Sequence, residues 1–211
     1  LNEIIEKLST ANKSDSNANY SEFGELKRRQ SFNHAGIVLH DNYWKIFGSD
    51  GTFSEDLVII KKIKEDFGSI ENWKQDFIAT GKSALGWVIT IWDSYTDKII
   101  NVSVDYHNNG AFWDSILLIA CDVFEHAYYS DYGPDRAKYL ESFVNSLDWK
   151  TIDSMMTGEN GEAGGCGCGG GSCGTEGGCC SGEDSCCGDE KGECEGCKEG
   201  KCDHSNGSCE H

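Results

Sequence analysis

Asp122-Val-Phe-Glu-His-Ala-Tyr-Tyr129 decides how this chain is read. It sets a carboxylate, Asp122, and an imidazole, His126, four residues apart, directly after the apolar run Ile116-Leu-Leu-Ile-Ala120. On a helix, positions i and i+4 share a face, so an oxygen and a nitrogen donor at that spacing can close on one first-row metal ion. Taken alone, an Asp and a His so spaced are more often a surface ion pair. The apolar approach and the flanking aromatic residues favour a metal site, because such neighbours exclude water and tune the ligands.

Outward from that run, the chain reads as α+β. Leu1, Ile4, Ile5 and Leu8 recur at helical spacing and predict an amphipathic opening helix. The polar stretch Thr10–Asn19 reads as a loop, and Ser21, ahead of Glu22 and Glu25, as the N-cap of a long helix reaching Trp44. Gly48-Ser-Asp-Gly51 ends this helical hairpin. Ser54 predicts a helix bearing Leu57, Ile60, Ile63 and Phe67, and Ser69 another bearing Trp73, Phe77 and Ile78. Trp87–Trp92 and Ile99–Val104, rich in β-branched residues, predict an antiparallel hairpin, and Ile116–Val123 a third, buried strand. Pro134-Asp-Arg136 opens a last helix expected to run through Tyr139, Leu140, Phe143, Leu147 and Trp149. The expected organisation is a helical hairpin over residues 1–50, an α+β metal-binding unit with a three-stranded antiparallel sheet over 51–157, and a tail over 158–211.

Bulk composition narrows the function. The 211 residues carry a formal net charge of −18, which disfavours nucleic acid and anionic membranes as partners. No apolar run approaches the roughly 18–20 residues that span a bilayer, and the cytoplasm is the expected compartment. Residues 151–211 hold 13 acidic side chains against 3 lysines. Eleven of the twelve cysteines also lie beyond residue 165: Cys166, Cys168, Cys173, Cys179, Cys180, Cys186, Cys187, Cys194, Cys197, Cys202 and Cys209. With almost no large apolar residues, that tail is expected to be disordered without metal or cross-links. Its thiols, with His204, offer soft donors enough for about three tetrahedral sites. The irregular C-x-C, CC and C-x-x-C spacings are metallothionein-like and predict zinc, copper(I) or nickel; a disulfide-bonded or merely flexible acidic tail is the alternative.

The run 122–129 resembles the D-x-W-E-H-A-Y-Y signature of the iron/manganese superoxide dismutases, with Phe124 in place of Trp. Phe32-Asn-His-Ala-Gly-Ile-Val-Leu-His40-Asp-Asn-Tyr-Trp44 is similar to the helix on which that family carries a metal-binding His before an aromatic pair. Leu85-Gly-Trp87 resembles its G-S-G-W element. Asp131-Tyr-Gly-Pro-Asp-Arg136-Ala-Lys-Tyr139, with Phe143 and Asp148-Trp149, continues the likeness, which runs to about residue 155.

The resemblance implies a metal held by His40, Asp122 and His126, and an enzyme that converts superoxide to oxygen and hydrogen peroxide through alternate reduction and oxidation of one manganese or iron ion. It implies His107 and Tyr43 as catalytic residues. His107 would hold the metal-bound solvent from a position after the second strand, because Gly36, where other members carry a Gln, has no side chain to offer. Gly36 favours a manganese-like arrangement, while a His at 107 also occurs in iron-using relatives, so both metals stay open. Tyr43, Trp44, Trp87 and Phe124 would form an aromatic wall, and Glu125 and Tyr129 would act across a homodimer or homotetramer interface. Arg136 would guide the anion or serve a structural ion pair. The family's first ligand, a His in a segment like K-H-H-x-x-Y, has no counterpart here. The likeness therefore implies a chain opening inside the first helix, short of one ligand and a gateway Tyr. His34 is a poor substitute, standing six residues from His40 and about 240° around the helix. The tail lies outside the likeness, and with the missing ligand it motivates the alternative of a metal-sequestering protein whose dismutase-like body no longer turns over.

Overall fold

A serine hydroxyl starts the element on which the rest is built. Ser21 Oγ accepts the Gly24 N–H at 3.1 Å, satisfying one of the first-turn donors that no helical carbonyl can reach. The helix it begins, α2 (Glu22–Ile46), packs against α1 (Asn2–Thr10) through the buried Leu8 and Leu26. The computed structural model describes residues 1–110 and 112–158. The expectations for the Cys-rich segment lie outside the described residues.

Next come α3 (Val58–Phe67), α4 (Ile70–Ser83), β1 (Trp87–Asp93), β2 (Lys98–Val104), β3 (Ser115–Asp122), α5 (Glu125–Tyr132), α6 (Arg136–Val144) and α7 (Trp149–Thr157). The three strands form one antiparallel sheet in the order β2-β1-β3. The α+β expectation stands.

Central β1 is buried along nearly its whole length, as its mostly apolar run demands, with Thr90 the polar residue inside it. In register, Trp87 faces Val104 of β2 on one side and Asp122 of β3 on the other. Pairing then steps from Thr90–Ile119 to Ile91–Leu117, which leaves Leu118 as an extra, bulged residue in β3. The core joins Ile59, Ile60 and Ile63 of α3, Trp73 and Phe77 of α4, the sheet, and Leu140, Phe143 and Trp149.

Two helix boundaries differ from expectation. The single last helix is broken into α6 and α7, because the Ser146 carbonyl and the Asp148 N–H bond residues 46–49 at the end of α2 instead of continuing the spiral. Asp148 N–H donates to the Ile46 carbonyl at 2.8 Å, and Gly48 and Ser49 N–H donate to the Ser146 carbonyl at 3.1 and 2.9 Å. The Asp148 carboxylate then caps α7 by accepting from Lys150 and Thr151 N–H. The helix predicted from Ser54 begins four residues later. Ser54 instead heads a turn, accepting Leu57 N–H at its carbonyl and Asp56 N–H at its hydroxyl, each at 3.3 Å. The Ile59 N–H at the start of α3 is taken by Asp153 of α7 at 2.8 Å. No helix among the described residues is long and apolar enough to cross a membrane.

Candidate metal centre

Three elements deliver one donor side chain each to the Trp87 end of the sheet: His40 from α2, Asp122 from the last position of β3, and His126 from the first turn of α5. The shared helix face expected for Asp122 and His126 is not what joins them. Asp122 ends a strand, where its Oδ1 accepts the Phe124 N–H at 2.9 Å. Phe124 is extended at φ −62°, ψ 146°, so the chain turns a corner before α5 begins. That corner returns His126 Nε2 to 3.1 Å from Asp122 Oδ2. His40 Nε2 lies 3.6 Å from the same oxygen.

The three donor atoms all lie within 4.8 Å of one another, the one such group of three His, Cys or acidic residues among the described residues. Metal–ligand bonds near 2.0–2.2 Å set donor atoms about 3.0–3.6 Å apart, so the pairs that Asp122 makes already match a coordinated geometry. His40 Nδ1 lies 2.6 Å from the Gly36 carbonyl. An Nδ1–H donates there, which leaves the Nε2 lone pair facing the site. The Trp87 ring meets the His40 ring edge-on at 4.8 Å. Burial pushes the Asp122 carboxyl above the usual carboxylate range, against the opposing pull of the Phe124 N–H and the two imidazoles. A cation in the cleft would relieve that penalty.

His107 sits beside this cluster. Trp87 Nε1–H donates to His107 Nδ1 at 3.0 Å, so in the neutral ring the proton is on Nε2. The ring fills the space above Gly36, where a Cβ would stand 3.1 Å from His107 Cδ2. The bare backbone at 36 and the imidazole at 107 are two halves of one packing solution. Burial first, then the nearby His40, pushes the His107 pKa below its ordinary 6.5. Between the lower folded value and 6.5 the folded protein holds fewer protons than the unfolded chain, so stability falls as pH falls through that window. Urea midpoints measured across it on the metal-free protein should show that loss, and His107→Gln should remove it.

The remaining expected residues distribute unevenly. Tyr43 is buried, with its hydroxyl 3.4 Å from that of Tyr139. It borders a cavity of about 220 Å³ with His40, Trp44, Asp122, His126 and Ala127. Trp44 lines the same cavity yet is 66% exposed. Phe124 stacks on His126 at 5.7 Å and meets His107 edge-on at 5.9 Å. Glu125 and Tyr129 face solvent from α5 in the single chain. His34 is exposed and is not one of the three clustered donors.

Arg136 is committed elsewhere. Its guanidinium donates to the Ala84 carbonyl at 2.7 Å just past α4 and to Tyr128 Oη at 3.1 Å, so it closes a helix end. Tyr139 has a part that its place in the sequence did not reveal: its hydroxyl donates to the Asp122 carbonyl at 2.8 Å. Asn42 was also missed. The only signal was a polar residue among the apolar Leu39, Tyr43 and Ile46.

Comparison with known proteins places the chain among one group of relatives. A family model for the C-terminal domain of iron/manganese superoxide dismutases matches residues 54–155. The chain is 38% identical over 136 residues to the manganese superoxide dismutase 2 of Haloferax volcanii, covering 63% of this chain and 68% of that protein. It is 34% identical over 158 residues to the iron superoxide dismutase of Aquifex aeolicus, covering 74% of each. Against the manganese superoxide dismutase 1 of Halobacterium salinarum, identity is 39% over 117 residues, and the match spans 58% of that relative's length.

Proposed function

The chain belongs to the iron/manganese superoxide dismutase family, and from that premise we infer that it disproportionates superoxide at His40, Asp122 and His126. Two superoxide anions and two protons give one oxygen and one hydrogen peroxide. The observation that carries this reading is the convergence of two imidazoles and one carboxylate, from three separate elements, on a space the size of one ion. Such a set with open positions suits iron or manganese, whereas thiolates would favour zinc or copper(I). Held by His40, Asp122 and His126, an iron or manganese ion would supply the one-electron couple that this disproportionation requires.

The chain's own residues do the rest. His40, its Nδ1–H held by Gly36, keeps a fixed tautomer, and buried Asp122 contributes negative charge that a cation balances. His107, with Nδ1 occupied by Trp87, offers the Nε2 proton to an oxygen in the cleft it shares with His40. Phe124, Trp87 and Tyr43 exclude water and narrow the approach. Glu125 and Tyr129 are read as contacts with a second copy in a homodimer, or within a homotetramer. Their support is exposure beside the centre, Tyr129 being 56% exposed.

The Cys-rich tail is assigned a separate role in holding zinc, copper(I) or nickel, supported by its eleven thiols and His204. The comparisons lend no support to the alternative of a sequestering protein with an inactive body. Elemental analysis before and after removal of residues 158–211 tests both assignments. Iron or manganese near one per chain should survive the truncation together with superoxide consumption, while zinc or copper should be lost with the tail. Iron or manganese departing with the tail would end the dismutase reading.

A further inference from the structure

Asn42 stands two residues beyond His40 on α2 and is 8% exposed. Its carboxamide grips β3 at two points. Oδ1 accepts the Ala120 N–H at 2.7 Å, and Nδ2 donates to the Leu118 carbonyl at 3.3 Å. Nδ2 also lies 3.8 Å from Met155 Sδ. β3 is an edge strand of the sheet, so its outer backbone groups have no further strand to pair with. Asn42 does there what the peptide group of a neighbouring strand would do, supplying one acceptor and one donor.

The place of the grip gives it a role beyond sealing an edge. Leu118 is the residue that the bulge inserts into β3, and Asp122 follows Ala120 by two residues on the same strand face. Side chains alternate along a strand, so losing the bulge, a one-residue slip in pairing, would turn every side chain beyond it to the opposite face. The helix that grips this point is also the one that carries His40.

We propose that Asn42 is a positioning residue: by holding the bulge at Leu118 it fixes the register of the end of β3 against α2, and with it the 3.6 Å separation of His40 Nε2 and Asp122 Oδ2 on which metal retention depends. This rests on the dismutase reading above. Removing a partner that orients a metal ligand typically weakens metal binding about 10–100-fold. Asn42→Ala should therefore release iron or manganese to a chelator about 10–100-fold faster than wild type.

The test loads the protein with iron(II) or manganese(II). It then follows release into excess chelator, below the thermal transition, and the ligand-field spectrum of the oxidised metal. Asp153→Ala, which strips the cap from the Ile59 N–H at the start of α3, serves as a destabilised control outside the three clustered donors. Asn42→Asp keeps the shape and the acceptor for Ala120 N–H if the alanine variant fails to fold. Faster release and a shifted spectrum in the Asn42 variants, with wild-type behaviour in Asp153→Ala, support the assignment. Release rate and spectrum unchanged in the Asn42 variants, or matching the Asp153→Ala control, overturn it while leaving the metal centre intact. A wild-type protein that retains neither iron nor manganese overturns the dismutase reading and this inference with it.

Discussion

Alanine at His126 should reduce superoxide consumption by the metal-loaded protein on the order of 100-fold or more, because deleting a ligand removes at least what is lost with a ligand's supporting partner. The same variant should keep its fold. The His126 side chain is 69% exposed and contributes little buried area, so its urea midpoint should stay close to wild type. That combination separates loss of chemistry from loss of structure. The measurement is superoxide decay, with metal content and unfolding midpoint determined on the same sample. Activity retained in a folded His126→Ala protein would sink the assignment, because Asp122 and His40 alone do not enclose an ion.

The largest expected effect on stability lies at Gly51→Ala. Gly51 has φ +71°, a conformation that side-chain-bearing residues adopt at a penalty of about 1–3 kcal/mol. A Cβ there would also stand 2.3 Å from the Asn145 carbonyl oxygen and 2.7 Å from its carbon. Both are backbone atoms, so no side chain can swing away, and the overpacking adds about 1–3 kcal/mol more. Together these predict a loss of about 3 kcal/mol or more in urea unfolding. Gly48→Ala is the internal comparison, since Gly48 has φ +102° with nothing within 4 Å of its Cβ position. It should lose only the conformational part. Equal losses at the two positions would show that the Asn145 contact contributes nothing.

Local features made most of the body legible in the sequence. The Ser21 cap, the β-branched pair of strands and the apolar face of α3 each declare themselves within a few residues. The break between α6 and α7 did not. Apolar residues continue through Leu147 and Trp149 with no Gly or Pro between, and the interruption is imposed by backbone bonds from residues 46–49, roughly a hundred positions away. The pairing of Asp122 with His126 was recognised for a reason that the structure replaces. A spacing of four fits a helix face, but it also fits a strand that turns through one extended residue into a helix, and nothing local separates the two. His107 enters the reading through family likeness alone, since a histidine in a turn has no periodicity to betray it. The grip of Asn42 is a contact across 76–78 residues, which no local pattern encodes.

The three donors of the centre differ in depth: the Asp122 side chain is 5% exposed, that of His40 38%, and that of His126 69%. Carboxylate and first imidazole are anchored to a sheet and a long helix, while the outermost imidazole rides on a short surface helix. On the proposed reading an incoming ion would meet the His126 ring first, the one latch of the three carried on a short surface helix.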